Sequence, residues 1–358
     1  GSQGGVDFFL VRAEDENYRG RLVFDQEESL RTLHLDELAL NFPDERWNLG
    51  GPTSLAWDPD GLTISDFRLI RSGVGGMRVR AEGYLPFQGE RDFTLNVQGL
   101  DLSRIAHVLQ VDERYEGVVD LNLQVTGDDS DPVMTATVAV TDFRYQDYAL
   151  DRFLGAVEYA GRRATGDMEV WKDSLRVLTV SGEFPLDLTF GRIDNRFPNE
   201  AIDLEVVSEL LPLSLLFAPF DIYQEVEGTL SGQVVLGGTP ERPAPTGRLT
   251  VDEAGGFLSG VGVRHRDLNA TLDWFPNRQV EVDATVESDG LASVQGTIAL
   301  STVSDPEFNL DVRLDGFQAI NRRDVTAVLS GDFRLGGSYA RPVISGDLFV
   351  DEGTNFCG

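Results

Sequence analysis

Side chains that can attack a substrate, move a proton or hold a metal are few in this chain, apart from its carboxylates. There are three histidines and one cysteine among 358 residues. His34, His107 and His265 are scattered, with no cysteine or second histidine at the spacing of a metal site. Cys357 has no partner for an internal disulfide. The 60 Asp and Glu side chains make chance carboxylate pairs unavoidable, so no acid–base dyad stands out. Asp128-Asp129-Ser130-Asp131 offers the hard oxygen ligands that Ca²⁺ takes, but it lacks the glycine and distal glutamate of an EF-hand loop and reads as a solvated turn. The nucleophile elbow Gly-x-Ser-x-Gly, the phosphate-binding loop, His-Glu-x-x-His and Cys-x-x-Cys are all missing from the sequence. The expectation is a protein that is not an enzyme and uses no cofactor or metal.

With no chemistry to position, the remaining question is what the elements are built to do. The formal net charge is −30, which excludes nucleic acid as a partner, because phosphate binding needs a basic surface. No stretch reaches the roughly 20 apolar residues of a membrane span. The most apolar run, residues 210–220, is broken by Pro212 and Pro219 and reads as a short buried turn or helix. Residues 1–5 read as an appended cloning remnant, so a leader or anchor could have been lost upstream.

The sequence repeats itself. Leu230-Ser231-Gly232 leads to Gly237-Gly238, Arg242-Pro243 and Gly247-Arg248-Leu249, and the same residues recur 99 positions later as Leu329-Ser330-Gly331, Gly336-Gly337, Arg341-Pro342 and Gly346-Asp347-Leu348. A looser copy lies 111 residues upstream, from Gly117 through Val119, Leu121, Leu123 and Val125 to Gly127 and Pro132. Alternating apolar and polar residues around a Gly/Pro turn make this unit a hairpin, with Gly127, Gly237, Gly238, Pro243, Gly336, Gly337 and Pro342 as turn residues. A second signature, apolar-x-Gly-x-apolar, recurs around Gly83, Gly182 and Gly296. A repeat of about 100 residues points to one continuous β-repeat segment over 6–358, with approximate units 24–116, 117–227, 228–326 and a truncated 327–358.

The strands have two unlike faces. Val280, Val282, Ala284 and Val286 oppose Glu281, Asp283, Thr285 and Glu287. Val119, Leu121, Leu123 and Val125 oppose Asp120, Asn122 and Gln124. Leu268, Ala270 and Leu272 oppose Asn269, Thr271 and Asp273. Leu204 and Val206, and Leu310 and Val312, follow the same period, and Leu33/Leu35 then Leu38/Leu40/Phe42 show it with a slip between them. The best helical spacing is in residues 102–109. Antiparallel sheet with one dry face follows. Either a second sheet covers that face, or it is open and holds an apolar ligand.

The hairpin at 230–253, with the later Leu268-Asn269-Ala270-Thr271-Leu272 and the Gly290 to Gly296 stretch, resembles the recurrent unit of the TamB family within the AsmA-like group. The first copy departs from it, with Thr126-Gly127-Asp128-Asp129 in place of Gly-Gly. The resemblance implies an elongated all-β sheet curled into a taco-like trough with an apolar interior and few short helices. It implies a bridge-like protein of the periplasm, anchored in the inner membrane by a segment not present here, carrying phospholipid acyl chains to the outer membrane or supporting outer-membrane protein assembly. An outer-membrane barrel of the Omp85 type would be a partner through other regions. The lining would then be Val119, Leu121, Leu123, Val125, Leu204, Val206, Leu268, Leu272, Val280, Val282, Val286, Leu310 and Val312. The alternative is a row of β-sandwich modules in a surface adhesin or stalk, with linkers near 110–117, 222–228 and 322–328.

Overall fold

The structure is a computed structural model. It describes residues 2–13, 16–42, 45–72, 76–103, 115–145, 148–190, 193, 195–217, 223–300 and 304–355. The chain divides into two compact units, residues 1–174 with 185–198, and residues 175–184 with 199–358.

The first unit contains β1 (Ser2–Ala13), β2 (Glu16–Glu27), β3 (Leu30–Phe42), β4 (Glu45–Leu49), β5 (Thr53–Trp57), β6 (Gly61–Ser72), β7 (Arg78–Pro86), β8 (Arg91–Asp101), β9 (Tyr115–Gly127), β10 (Pro132–Tyr145), β11 (Tyr148–Ala160) and β12 (Arg163–Lys172). Strands next to each other in sequence pair antiparallel, with one detour. β3 pairs with both β4 and β5, and β6 pairs with both on the other side, so these two short strands share one track broken at Gly50-Gly51-Pro52. Residues 2–5, expected to be an appended tail, continue β1 and pair with β2. The slip expected between Leu35 and Leu38 is a bulge: Arg21 faces Glu37 while Leu22 faces Leu35, so one extra residue restores the apolar face that a straight strand would have lost.

The second unit contains β13 (Leu175–Pro185), β14 (Asp203–Pro212), the short helix α1 (Leu213–Phe217), β15 (Tyr223–Thr239), β16 (Arg242–Leu258), β17 (Val263–Trp274), β18 (Gln279–Ser288), β19 (Gly290–Ala299), β20 (Glu307–Asn321), β21 (Val325–Ser338) and β22 (Arg341–Asn355). Here too each strand pairs antiparallel with the next. The fold is the all-β antiparallel one expected, and within neither unit does a second sheet pack on the first among the described residues.

Three expectations need correction or qualification. The repeated glycine pair is not the hairpin turn. Gly238 faces Pro243 and Gly337 faces Pro342 as ladder partners, with the turns one step further on, at Pro240-Glu241 and Tyr339-Ala340. Gly127 holds the equivalent place opposite Pro132. Proline suits such a position because it has no N–H to give to the ladder. The apolar run at 210–217 is only partly buried: Leu211 and Leu213 are covered, but Leu210 is 54% exposed. In the expected helix at 102–109 only Leu102 and Ser103 are described, and both are helical. Residues 104–109, His107, Cys357 and the end of the apolar run lie outside the described residues.

The glycines of the second signature share one geometry. Gly182 has φ +131°, and a Cβ there would stand 2.0 Å from the Asp203 carbonyl oxygen on β14. Gly83 and Gly296 meet the carbonyls of Asp92 and Asn309 in the same way. The signature therefore marks places where neighbouring backbones approach too closely for any side chain.

Candidate functional site

Register carries the apolar residues of successive strands onto one face. In the first unit Leu95 faces Leu123, Leu123 faces Ala136, and Ala136 faces Val157. In the second unit one row runs Gly232, Leu249, Leu272, Val282, Gly296, Leu310 and Leu335, each residue facing the next. Leu204 and Val206 reach Leu236 and Val234, and Val312 faces Phe333. Glycine in the rows sits opposite leucine, so the face is uneven.

The burial of this face lies between two extremes. Of the residues expected to line it, Val125, Val280 and Leu310 are buried. Val119, Leu121, Leu123, Leu204, Val206, Leu268, Leu272, Val282, Val286 and Val312 are half-buried. A sandwich core would bury nearly all of them, and a free surface would leave them exposed. The total area agrees. The chain exposes 21396 Å², whereas a compact monomer of 39.4 kDa would expose about 14,000 Å² and two separate compact bodies of half that mass about 17,000 Å² together. The chain therefore exposes more surface than compact bodies of its mass would.

The other face is polar and already paired. Asp120, Asn122, Gln124, Glu205, Glu281, Asp283 and Asp311 are exposed. Arg334 reaches Asp311 (2.8 Å), Arg248 reaches Asp273 (2.5 Å) and Arg313 reaches Asp332 (2.5 Å) across neighbouring strands. The hydrogen bond from Arg334 holds the Asp311 carboxyl below its ordinary value. A depression of about 690 Å³ on this face, lined by Gln295, Asp311, Arg313 and Arg334 among others, is floored by these satisfied pairs and has no unpaired arginine to offer an anion.

In the first unit one edge of the apolar face is covered. The connection 186–202 is longer than its counterparts 87–90 and 300–306, and its first part folds back. Leu186 N donates to Arg162 O (3.0 Å), Phe190 N donates to Asp129 O (3.1 Å), and Leu188 N donates to the Tyr159 hydroxyl (2.8 Å). Tyr159 faces Met134, which faces Val125, so this contact lies on the apolar side. Arg91, 5% exposed at its side chain, pairs with Asp129, and the Phe190 ring lies 4.0 Å from its guanidinium carbon. Sequence reasoning missed Arg91 and Tyr159. The available signal was spacing: Gly182 to Ser231 is 49 residues, against 37 from Gly83 to Asp120 and 34 from Gly296 to Ser330.

The acidic turn is locally committed. Asp128 Oδ1 accepts from Ser130 N (2.8 Å), Ser130 Oγ (2.7 Å) and Asp131 N (2.9 Å), and the Ser130 hydroxyl and backbone bonds lower its pKa. Asp129 is taken by Arg91. Among the described residues no group of three or more His, Cys, Asp or Glu is arranged to hold a metal ion, and no helix is long and apolar enough to cross a membrane.

Comparison with known proteins gives one match. No curated protein and no solved structure matches the chain. Residues 280–357 match the model of the TamB C-terminal domain, a stretch that holds β18 to β22 and, with Val280, Val282, Val286, Leu310 and Val312, much of the second unit's apolar face. In its carboxy-terminal part, then, this chain is similar to the TamB C-terminal domain.

Proposed function

We propose that this chain is part of a periplasmic conduit, anchored elsewhere in the inner membrane, along whose apolar face phospholipid acyl chains pass toward the outer membrane. The observation that carries this reading is the half-burial of the apolar rows in both units, on sheets with no second layer. Acyl chains in water cost about 0.8 kcal/mol per CH₂, so a chain of sixteen carbons costs on the order of 12 kcal/mol. A continuous apolar face removes most of that cost, and it needs only shape and Val, Leu and Phe. Headgroups would stay at the wet edges. The acidic polar face would keep the shaft from settling on anionic bilayers.

The test is native mass spectrometry of protein purified without harsh delipidation, with lipid extraction in parallel. Several phospholipids should accompany the wild-type chain. Leu123→Asp and Val282→Asp should lose them and keep the far-ultraviolet circular dichroism of a folded sheet. A bare wild-type protein that takes up no lipid on challenge, or variants that simply unfold, would mean that the apolar faces are covered in solution, and sandwich modules would become the better account.

A further inference from the structure

Four bulges, one in the first unit and three in the second, are held by the same device. On β8, β14, β16 and β20 the ladder to the following strand skips, between Val97 and Leu100, Ser208 and Leu211, Val251 and Ala254, and Leu314 and Phe317. In each gap one backbone N–H has no ladder partner and donates instead to a side-chain oxygen of the following strand. Gly99 N reaches Asp120 Oδ1 (2.7 Å), Leu210 N reaches Ser231 Oγ (3.2 Å), Glu253 N reaches Asn269 Oδ1 (3.0 Å), and Gly316 N reaches Ser330 Oγ (2.9 Å). Ser231 and Ser330 are the serine of the 99-residue repeat, and Asp120 is its counterpart in the looser copy. All four acceptors sit on the polar side, next to apolar-face residues such as Leu121, Gly232, Ala270 and Gly331.

In the second unit the sheet turns onto its apolar face beyond this line. β17 and β20 are three strand steps apart, about 14 Å in a flat sheet. Yet the His265 ring stacks on Phe317 with centroids 6.0 Å apart. Both lie on the apolar side by register: Arg266 faces exposed Glu287, which turns His265 the other way, and Phe317 faces Leu329. Asn321 N donates to Val261 O (2.9 Å), and Ser288 Oγ donates to Gln318 O (3.0 Å) over the tip of the β18–β19 hairpin. A bulge bends its strand, and those at Glu253 and Gly316 come just before this closed edge along β16 and β20.

We propose that in the second unit Ser231, Asn269 and Ser330 are positioning residues: each holds a bulge at the corner where the sheet turns inward, and together they set how wide the apolar face of that unit stays open. The consequence for cargo rests on the acyl-chain reading; the corner itself does not. The required chemistry is only an acceptor oxygen one or two bonds beyond Cβ, which Ser and Asn both supply, as does Asp120 at the matching place in the looser copy. The acceptors should therefore be interchangeable within the chain, whereas alanine should fail.

The experiment uses the full chain with Cys357→Ser, spin-labelled at Ser259→Cys and Arg323→Cys on the two turns that meet at the closed edge. Double electron–electron resonance reads their separation. Ser330→Ala and Asn269→Ala should lengthen and broaden the distribution, and Ser330→Asn and Asn269→Ser should return it to the wild-type one. Unchanged distances in folded alanine variants would overturn the proposal, as would Asn and Ser exchanges that widen or unfold like alanine. Alanine variants that unfold beside exchanges that stay native would support it. Uptake of a fluorescent phospholipid from phosphatidylethanolamine vesicles is measured alongside. If distances respond but no variant, wild type included, takes up lipid, the acyl-chain reading falls and the corner stands.

Discussion

Gly182 is held at φ +131°, with the Asp203 carbonyl oxygen where a Cβ would go, 2.0 Å away. The obstacle is backbone, which cannot swing aside as a flexible side chain can. Gly182→Ala must shift β14 against β13 and also occupy a conformation L-residues avoid, so it should destabilise by roughly 2–4 kcal/mol. Chemical denaturation would read this as a lower midpoint, and a change under about 0.5 kcal/mol would mean that the two strands are not held at this separation. Glycine at a loop tip is different in kind. A Cβ on Gly161 would meet nothing within 4 Å, so substitution there meets backbone strain alone. The signature apolar-x-Gly-x-apolar thus separates glycines that permit a close approach from those that only end a strand.

At the scale of elements, the contact between β17 and β20 should respond to pH. Burial lowers the pKa of His265 below its ordinary 6.5, because the charged ring loses water where it stacks on Phe317. A histidine whose folded pKa is depressed adds stability that is fully present above pH 6.5 and is lost as pH falls through the folded value. Acidification from pH 7.5 to 5.5 should therefore loosen this edge first. The protection factor of the Asn321 amide, which donates to Val261 O, should fall once the intrinsic pH dependence of exchange is divided out, and His265→Gln should remove that fall. A protection factor at Asn321 that stays flat with pH in the wild type would show that the stack does not hold the edge. Elements like these were unevenly legible in the sequence. Strands such as 279–287 stand out because one face is wholly apolar, and the slip in 33–42 pointed to the bulge that the register shows. The bulges at Gly99, Leu210, Glu253 and Gly316 were not legible, because a bulge needs the partner strand to define it. Nor were the roles of Ser231 and Ser330: a serine repeated at fixed spacing reads as part of a turn unit until the strand opposite it is known. Likewise Gly237-Gly238 looked like a corner because glycine and proline favour turns, while the ladder runs on for one more pair.

For the whole molecule, the sequence showed which residues share a face but not what lies against it. Alternation of Val, Leu and Phe with Asp, Asn and Gln is equally good for one layer or two, and only the register and the exposed area separate them. Within each unit the register leaves no strand over, among the described residues, to form a second layer, and the area has a calorimetric consequence. An unfolded chain of 39.4 kDa exposes about 57,000 Å². Folding to 21396 Å² then buries about 36,000 Å², against about 43,000 Å² for a compact protein of that mass. The heat capacity of unfolding follows buried area and its apolar share, so the lipid-free chain should show about four-fifths of the increment expected from its length. Because heat capacity is additive, this holds whether the units unfold together or separately. Bound acyl chains released on unfolding expose further apolar surface, so a lipid-loaded preparation should show a larger increment than a stripped one. Differential scanning calorimetry of both preparations tests the two statements at once. A full-sized increment that delipidation leaves unchanged would mean that the apolar rows are covered by protein, and that the half-burial of Leu123 and Val282 does not persist in solution.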